Sequence, residues 1–405
     1  MVYITVENLD PSTIIDILTL RYNPAPSAHH LDWSEFTAKD APKNILDLIE
    51  QNIGDSLVNN LQNRDKVAVS LSSGVDSTLV LAILRKTFPD LRIESMSVTF
   101  ADSIDESPAA KKISERFETN HHVLYIENFL QHLPKAISIA KLPYWDLHWY
   151  YVAEKVQSLS PVFLSGDGGD ELFGGYTFRY QKFLSALKSN FSSLDKVKLY
   201  LDCHERDWVP DQEKVFGGKS KFSWDNIHSL LEPFFTNSLP PLSQVFLADY
   251  NGKLIYNMLP LYEKFHKHFD IKYHAPLLSK EMISIATHIP NELKYDSETN
   301  TGKILLRQIL EKYDVAHLLA DKKQGFSINT TKLWTSFGKK ICAYYLESAR
   351  TIRDSWISSD WVDKYIHKDD LDVRYVNKFL GLLAFEIWYR LFITKEITPD
   401  EQLNP

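Results

Sequence analysis

The run Lys66-Val-Ala-Val-Ser-Leu71 passing into Ser72-Ser73-Gly74-Val75-Asp76-Ser77 constrains the fold more than any other part of the chain. A short apolar run of strand type ends in small residues. Thr78–Phe88 then brings Leu79, Val80, Leu81, Ile83 and Leu84 at spacing that suits a helix. The alternation repeats downstream. A strand is expected over Ile93–Phe100, a polar helix over Pro108–Phe117, a strand over His122–Ile126, another helix, and a strand over Pro161–Ser165. Strands alternating with helices at this spacing predict βαβ units, hence an α/β chain built on a doubly wound parallel sheet. In such sheets ligands collect at the carboxyl ends of the strands.

Residues 1–45 mix short apolar runs with Pro24, Pro26, His29 and Pro42 and read as a strand-and-loop lead-in, followed by a helix from Pro42 to Leu61. The division that follows is a lead-in of short strands and a helix over 1–60, an α/β core over 61–190, and a mainly helical elaboration over 191–405 that closes over the site. No internal repeat or low-complexity tract interrupts this. A net charge of −8 counts against nucleic acid as a partner, because a phosphate-binding face needs clustered Lys and Arg. Cys203 and Cys342 stand far apart, which excludes a disulfide framework or a Cys-rich zinc site. The N-terminus lacks a basic-then-apolar leader pattern, and no apolar run reaches bilayer length. A cytoplasmic protein with no membrane partner is expected.

The first loop, Ser72–Ser77, exposes backbone N–H groups at a helix start with little side-chain bulk nearby, which suits a phosphate or pyrophosphate. Asp76 fits an anion site only if a Mg²⁺ lies between it and the phosphates. An ordinary strand-to-helix turn capped by Ser is the plain alternative. It is neither a Walker A loop nor a Gly-x-Gly-x-x-Gly fingerprint. The second loop, Ser165-Gly166-Asp167-Gly168-Gly169-Asp170-Glu171, again follows a strand and carries three carboxylates. An acidic Gly-rich surface turn is its bland reading, and EF-hand spacing is absent. Two such loops on one sheet make Asp76 and Asp170 candidate ligands for a single Mg²⁺ over a pyrophosphate.

These two loops resemble the synthetase domain of the asparagine synthetase family, whose pattern is Ser-Gly-Gly-x-Asp-Ser followed by Ser-Gly-Glu/Asp-Gly-x-Asp-Glu. The likeness extends through Thr99–Glu106, His121-His122, Gly302-Lys303-Ile-Leu-Leu-Arg307, Lys323-Gln324-Gly325-Phe326 and Trp388, over roughly residues 40–395. It implies an ATP-pyrophosphatase (adenine nucleotide α-hydrolase-like) fold and an enzyme that cleaves ATP to AMP and pyrophosphate while adenylating a small-molecule carboxylate. An ammonia or amine donor would then attack the adenylate. Nucleotide binding falls to Ser70, Ser72, Ser73, Gly74, Asp76, Ser77, Val98 and Gly166, and metal binding to Asp76 and Asp170. Asp167 stands near the reacting centre with Glu171, and Lys323 matches a lysine that stabilises the adenylate and pyrophosphate. Lys323 taken alone reads equally as a solvated lysine.

Three departures bear on the resemblance. Ser73 replaces a glycine, which would be strained if the backbone there needs positive φ. Residue 2 is Val, with no N-terminal Cys nucleophile, so nitrogen is expected from ammonia, a separate glutaminase or an amine on the substrate. Around residues 261–279 the family's charged positions become Glu263, Lys272, His274 and Ser279. The segment Leu142–Tyr151 is unusually aromatic and reads as core or pocket wall, whereas His266 and His268 read as a solvated face. A β-lactam synthetase- or lasso-peptide cyclase-like ligase shares the ATP half, and a non-catalytic nucleotide sensor is a third possibility.

Overall fold

The computed structural model describes residues 10–24, 27, 29–101, 103–319 and 328–404. Among these, five parallel strands form one sheet in the order β3-β2-β1-β4-β5: β1 Lys66–Ser70, β2 Arg92–Phe100, β3 Asn120–Ile126, β4 Val162–Leu164 and β5 Lys272–His274. The chain steps outward from β1 to β2 and β3, then returns to β4 on the other flank of β1. The doubly wound α/β expectation is met, and the point where the winding reverses lies between β1 and β4. At such a point the connections following the two strands leave in opposite directions, which is where doubly wound sheets take their ligands.

Three of the five residues of β1 are apolar, and all but Lys66 are buried, as a central strand covered on both faces requires. The helix after it, Val75–Thr87, is buried from Val75 through Leu84. A helix apolar on nearly all sides is wedged between the sheet and its neighbours. The helices Ile45–Leu61 and Ser107–Arg116 and the first four strands lie within a few residues of their expected bounds.

Two segments differ from expectation. Within residues 10–60 the lead-in forms a helix, Pro11–Leu20, with Asp10 accepting a hydrogen bond from Ser12 N and Pro11 in its first turn. Its Ile-rich sequence reads as strand, but the cap and the proline set a helix start, and burial of Ile14, Ile15, Ile17 and Leu18 holds it. No strand occurs among the described residues of that segment. The fifth strand is the second difference. It comes from within the stretch that reads as helical, and at three residues it is too short to display a period of two. Its register pairs Val162 with Lys272, Phe163 with Tyr273 and Leu164 with His274.

Candidate active site

Both candidate loops emerge at the reversal point and touch. A Cβ on Gly166 would lie 2.7 Å from the backbone carbon of Asp76 and 2.8 Å from Ser77 N, so the loops pack backbone against backbone. At Gly169 a Cβ would fall 2.4 Å from Asp76 Oδ1. Only glycine allows this approach.

In the first loop the hydroxyls organise the turn. Ser72 Oγ accepts from Gly74 N at 3.1 Å and lies 3.1 Å from Ser77 Oγ. Gly74 is the N-cap of Val75–Thr87 and offers no side chain to the first turn, so the donors there stay available to an anion. Ser73 does not take positive φ, and the feared strain does not arise. Its hydroxyl is fully buried, with no hydrogen-bond partner among the described residues. Ser70 is the last residue of β1. The β1–β2 register ends at Ser70 opposite Met96, so β2 runs on past β1 and carries Val98 to the sheet's carboxyl edge. Ser70, Ser72, Ser73, Gly74, Asp76, Ser77, Val98 and Gly166 thus share one end of the sheet.

Asp76 and Asp170 converge on one position. Lys303 Nζ sits 2.5 Å from Asp76 Oδ2 and 2.5 Å from Asp170 Oδ1. The Lys303 and Asp76 side chains are each 5% exposed. Two carboxylates from separate loops therefore hold one cation between them, here the chain's own ammonium. Their hard oxygens suit a divalent ion such as Mg²⁺. Among the described residues no cluster of three or more His, Cys, Asp or Glu forms a metal site. An ion here would complete its shell from phosphate and water, as Mg²⁺ commonly does. Lys303 carries no chemical signal of its own in the sequence; its Gly302-Lys303 context was the one available hint.

Asp167 lies in a separate group. Its Oδ2 accepts from Ser165 Oγ at 2.6 Å and from the Tyr273 hydroxyl. Glu171 faces elsewhere again, accepting from Tyr176 OH at 2.5 Å. It borders a small cavity of ≈ 30 Å³ with Arg179, Asp249 and Tyr22. Lys323 lies outside the described residues.

Burial, reinforced by Asp170, pushes the Glu171 carboxyl up to about 7, with the Tyr176 hydroxyl opposing. The folded value stands above the ordinary 4.5, so the folded chain keeps a proton that the unfolded chain has lost. The stability this contributes is complete below the ordinary value and is lost as pH rises toward the folded one. Glu171→Gln is expected to flatten part of the decline in the urea unfolding midpoint between about pH 5 and 7. Asp16, raised to about 7 chiefly by burial, retains its share of that slope. An unaltered slope in the variant would contradict the assignment.

The acceptor side also departs from its sequence reading. His266 is buried rather than solvated, and Trp149 Nε1 donates to its Nε2 at 2.8 Å. Trp145, Trp149, Tyr150 and Tyr151 are buried in the core. His274 Nε2 lies 2.8 Å from Ser56 Oγ, and Ser279 caps the helix Lys280–His288. Glu263 and Lys272 are exposed. Each altered position thus has a local structural setting.

The family model for asparagine synthase matches residues 48–390. The chain belongs to the asparagine synthase family. The asparagine synthetase [glutamine-hydrolyzing] 1 of Bacillus subtilis is 25% identical over 385 residues, covering 86% of this chain and 60% of that protein. A putative asparagine synthetase [glutamine-hydrolyzing] of Mycobacterium bovis is 24% identical over 381 residues, covering 85% and 58%. A shorter match, 37% identical over 116 residues, covers 27% of this chain and 22% of the putative asparagine synthetase [glutamine-hydrolyzing] 2 of Methanocaldococcus jannaschii. The chain spans about three-fifths of the length of the first of these relatives. The family match extends over all five strands of the doubly wound parallel sheet. No described helix is long and apolar enough to cross a membrane.

Proposed function

We propose that this chain is an ATP-dependent, AMP-forming carbon–nitrogen ligase that adenylates a small-molecule carboxylate and passes the acyl group to a nitrogen nucleophile. The observation that supports this most is the convergence of Asp76 and Asp170 on a single cationic position between the two loops. Mg²⁺ held by these two carboxylates would offset charge on the departing pyrophosphate. The hydroxyls of Ser72 and Ser77, the backbone at Ser73 and the first-turn N–H groups after Gly74 cradle the β- and γ-phosphates. Val98 and Gly166 line the adenosine.

A substrate carboxylate oxygen attacks the α-phosphorus, and the bond to the β-phosphate oxygen breaks. In the second half, the nitrogen attacks the acyl carbon and AMP leaves with the electrons of the broken C–O bond. Asp167, beside this position, takes the proton the nitrogen sheds. Lys323 keeps the charge-stabilising part that its motif implies. The nitrogen donor is ammonia, supplied free or released from glutamine, in keeping with the glutamine-hydrolyzing relatives.

A second reading, in which a specialised acid meets an internal or external amine, shares this adenylation chemistry. One screen tests both. Mg·ATP is supplied with ammonium or glutamine and a panel of carboxylates that includes aspartate, and pyrophosphate and AMP are measured. Pyrophosphate release that depends on one carboxylate is expected. ADP and phosphate as products would end the proposal, and ATP binding without any turnover would favour a nucleotide sensor.

A further inference from the structure

Tyr273 sits on β5 directly beside Phe163 of β4, the strand that leads into the second loop. Side chains two residues apart along a strand share a face, so Ser165 emerges on the side that Tyr273 occupies. The three polar groups close on one another. Tyr273 OH and Ser165 Oγ both donate to Asp167 Oδ2, and the two hydroxyl oxygens lie 2.7 Å apart.

The phenol ring has little freedom. His266 stacks on it with centroids 4.3 Å apart and planes 22° from parallel. Tyr262 and Trp149 meet it edge-on at 6.2 Å and 6.3 Å. Trp149 stacks on Tyr262 at 4.1 Å and fixes His266 through its indole N–H. Burial keeps His266 neutral, with its pKa lowered to about 3, so it serves as a flat plate and brings no charge beside the phenol. Four rings of three different elements thus aim one hydroxyl at one carboxylate.

We propose that Tyr273 is a positioning residue for the second half-reaction, holding the Asp167 carboxylate in the orientation that receives the proton of the attacking nitrogen. This rests on the ligase reading above and on Asp167 as the proton acceptor. Two donors to one oxygen set how the carboxylate group is turned, which is the geometric requirement on a general base. Adenylation moves no proton through Asp167 and does not need this orientation. The two half-reactions therefore respond differently to loss of the phenol oxygen.

The test is a double-mutant cycle of Tyr273→Phe and Asp167→Asn, read in two assays. Carboxylate-dependent ATP–pyrophosphate exchange reports adenylation, and amide formed per AMP released reports the second half. Tyr273→Phe is expected to hold exchange and the KM for ATP within about twofold, while amide per AMP falls about tenfold or more as the adenylate is lost to water. In the Asp167→Asn background the same change is expected to add nothing, because the two act as one unit. Phenylalanine keeps the ring stack, and the thermal unfolding midpoint checks that the core is intact. Trp149→Phe, which leaves the phenol but removes the donor fixing His266, is expected to give a smaller version of the same uncoupling. Additive effects, or normal coupling in Tyr273→Phe, would overturn the inference. Absence of exchange in the unaltered protein would remove the ligase reading and this inference with it.

Discussion

Asp76→Asn is expected to lower carboxylate-dependent pyrophosphate release by about 10²–10³-fold, a loss on the scale of removing one fixed group from a charge-stabilising site. Asparagine is nearly isosteric and keeps the contact with the Gly169 backbone, so the packing between the loops survives. What disappears is half of the negative charge that brings a cation to this point, since Asp76 and Asp170 reach the same nitrogen from different loops. The thermal midpoint is expected to change far less than the rate, because Lys303 keeps Asp170 as partner. Rates of the unaltered protein and Asp76→Asn are compared at saturating Mg·ATP. A variant within threefold of the unaltered rate would remove Asp76 from the metal site.

Lys303→Met has the larger expected effect on stability. The ammonium lies in a buried position between two carboxylates, and removing one partner of a buried ion pair costs about 3–5 kcal/mol. Methionine replaces the apolar stem but takes the Lys303 ammonium from between Asp76 and Asp170. Magnesium can take its place. Titrating Mg²⁺ without nucleotide is therefore expected to raise the unfolding midpoint of Lys303→Met more than that of the unaltered protein, where the ammonium competes for the place. At a hundredfold excess over its dissociation constant the ion would return about 2.7 kcal/mol. A variant as stable as its parent and indifferent to Mg²⁺ would mean the carboxylates do not form a common cation site.

The two loops were legible because each joins an apolar strand to a run of small residues, a pattern that local sequence carries in full. The strands could be anticipated no further than β4. Lys272–His274 is three residues long, so no alternation marks it, and Tyr273 acquires its meaning only from lying beside Phe163. Lys303 offers only its Gly302-Lys303 context in sequence; its partners are set by tertiary contact. His266 shows a signal that was present but outweighed. Tyr262, Phe265, His266 and Phe269 recur at helical spacing and are buried, whereas the neighbouring Lys267 and His268 that suggested solvent lie on the exposed face. In the lead-in, β-branched residues at Ile14, Ile15 and Ile17 gave a strand propensity that the Asp10 cap and helix packing overrode.

The bond between Lys303 and Asp76 spans 227 positions of the chain. During synthesis the ribosome completes both loops long before the lysine that lies between their carboxylates emerges. A nascent chain that ends just after the second loop carries both carboxylates before Lys303 has been made. Ion and nucleotide from the surrounding solution are the available counter-charge during that interval. Co-translational maturation of this protein should therefore depend on free magnesium more steeply than its finished stability does, and translation arrested between residues 175 and 300 would expose that dependence.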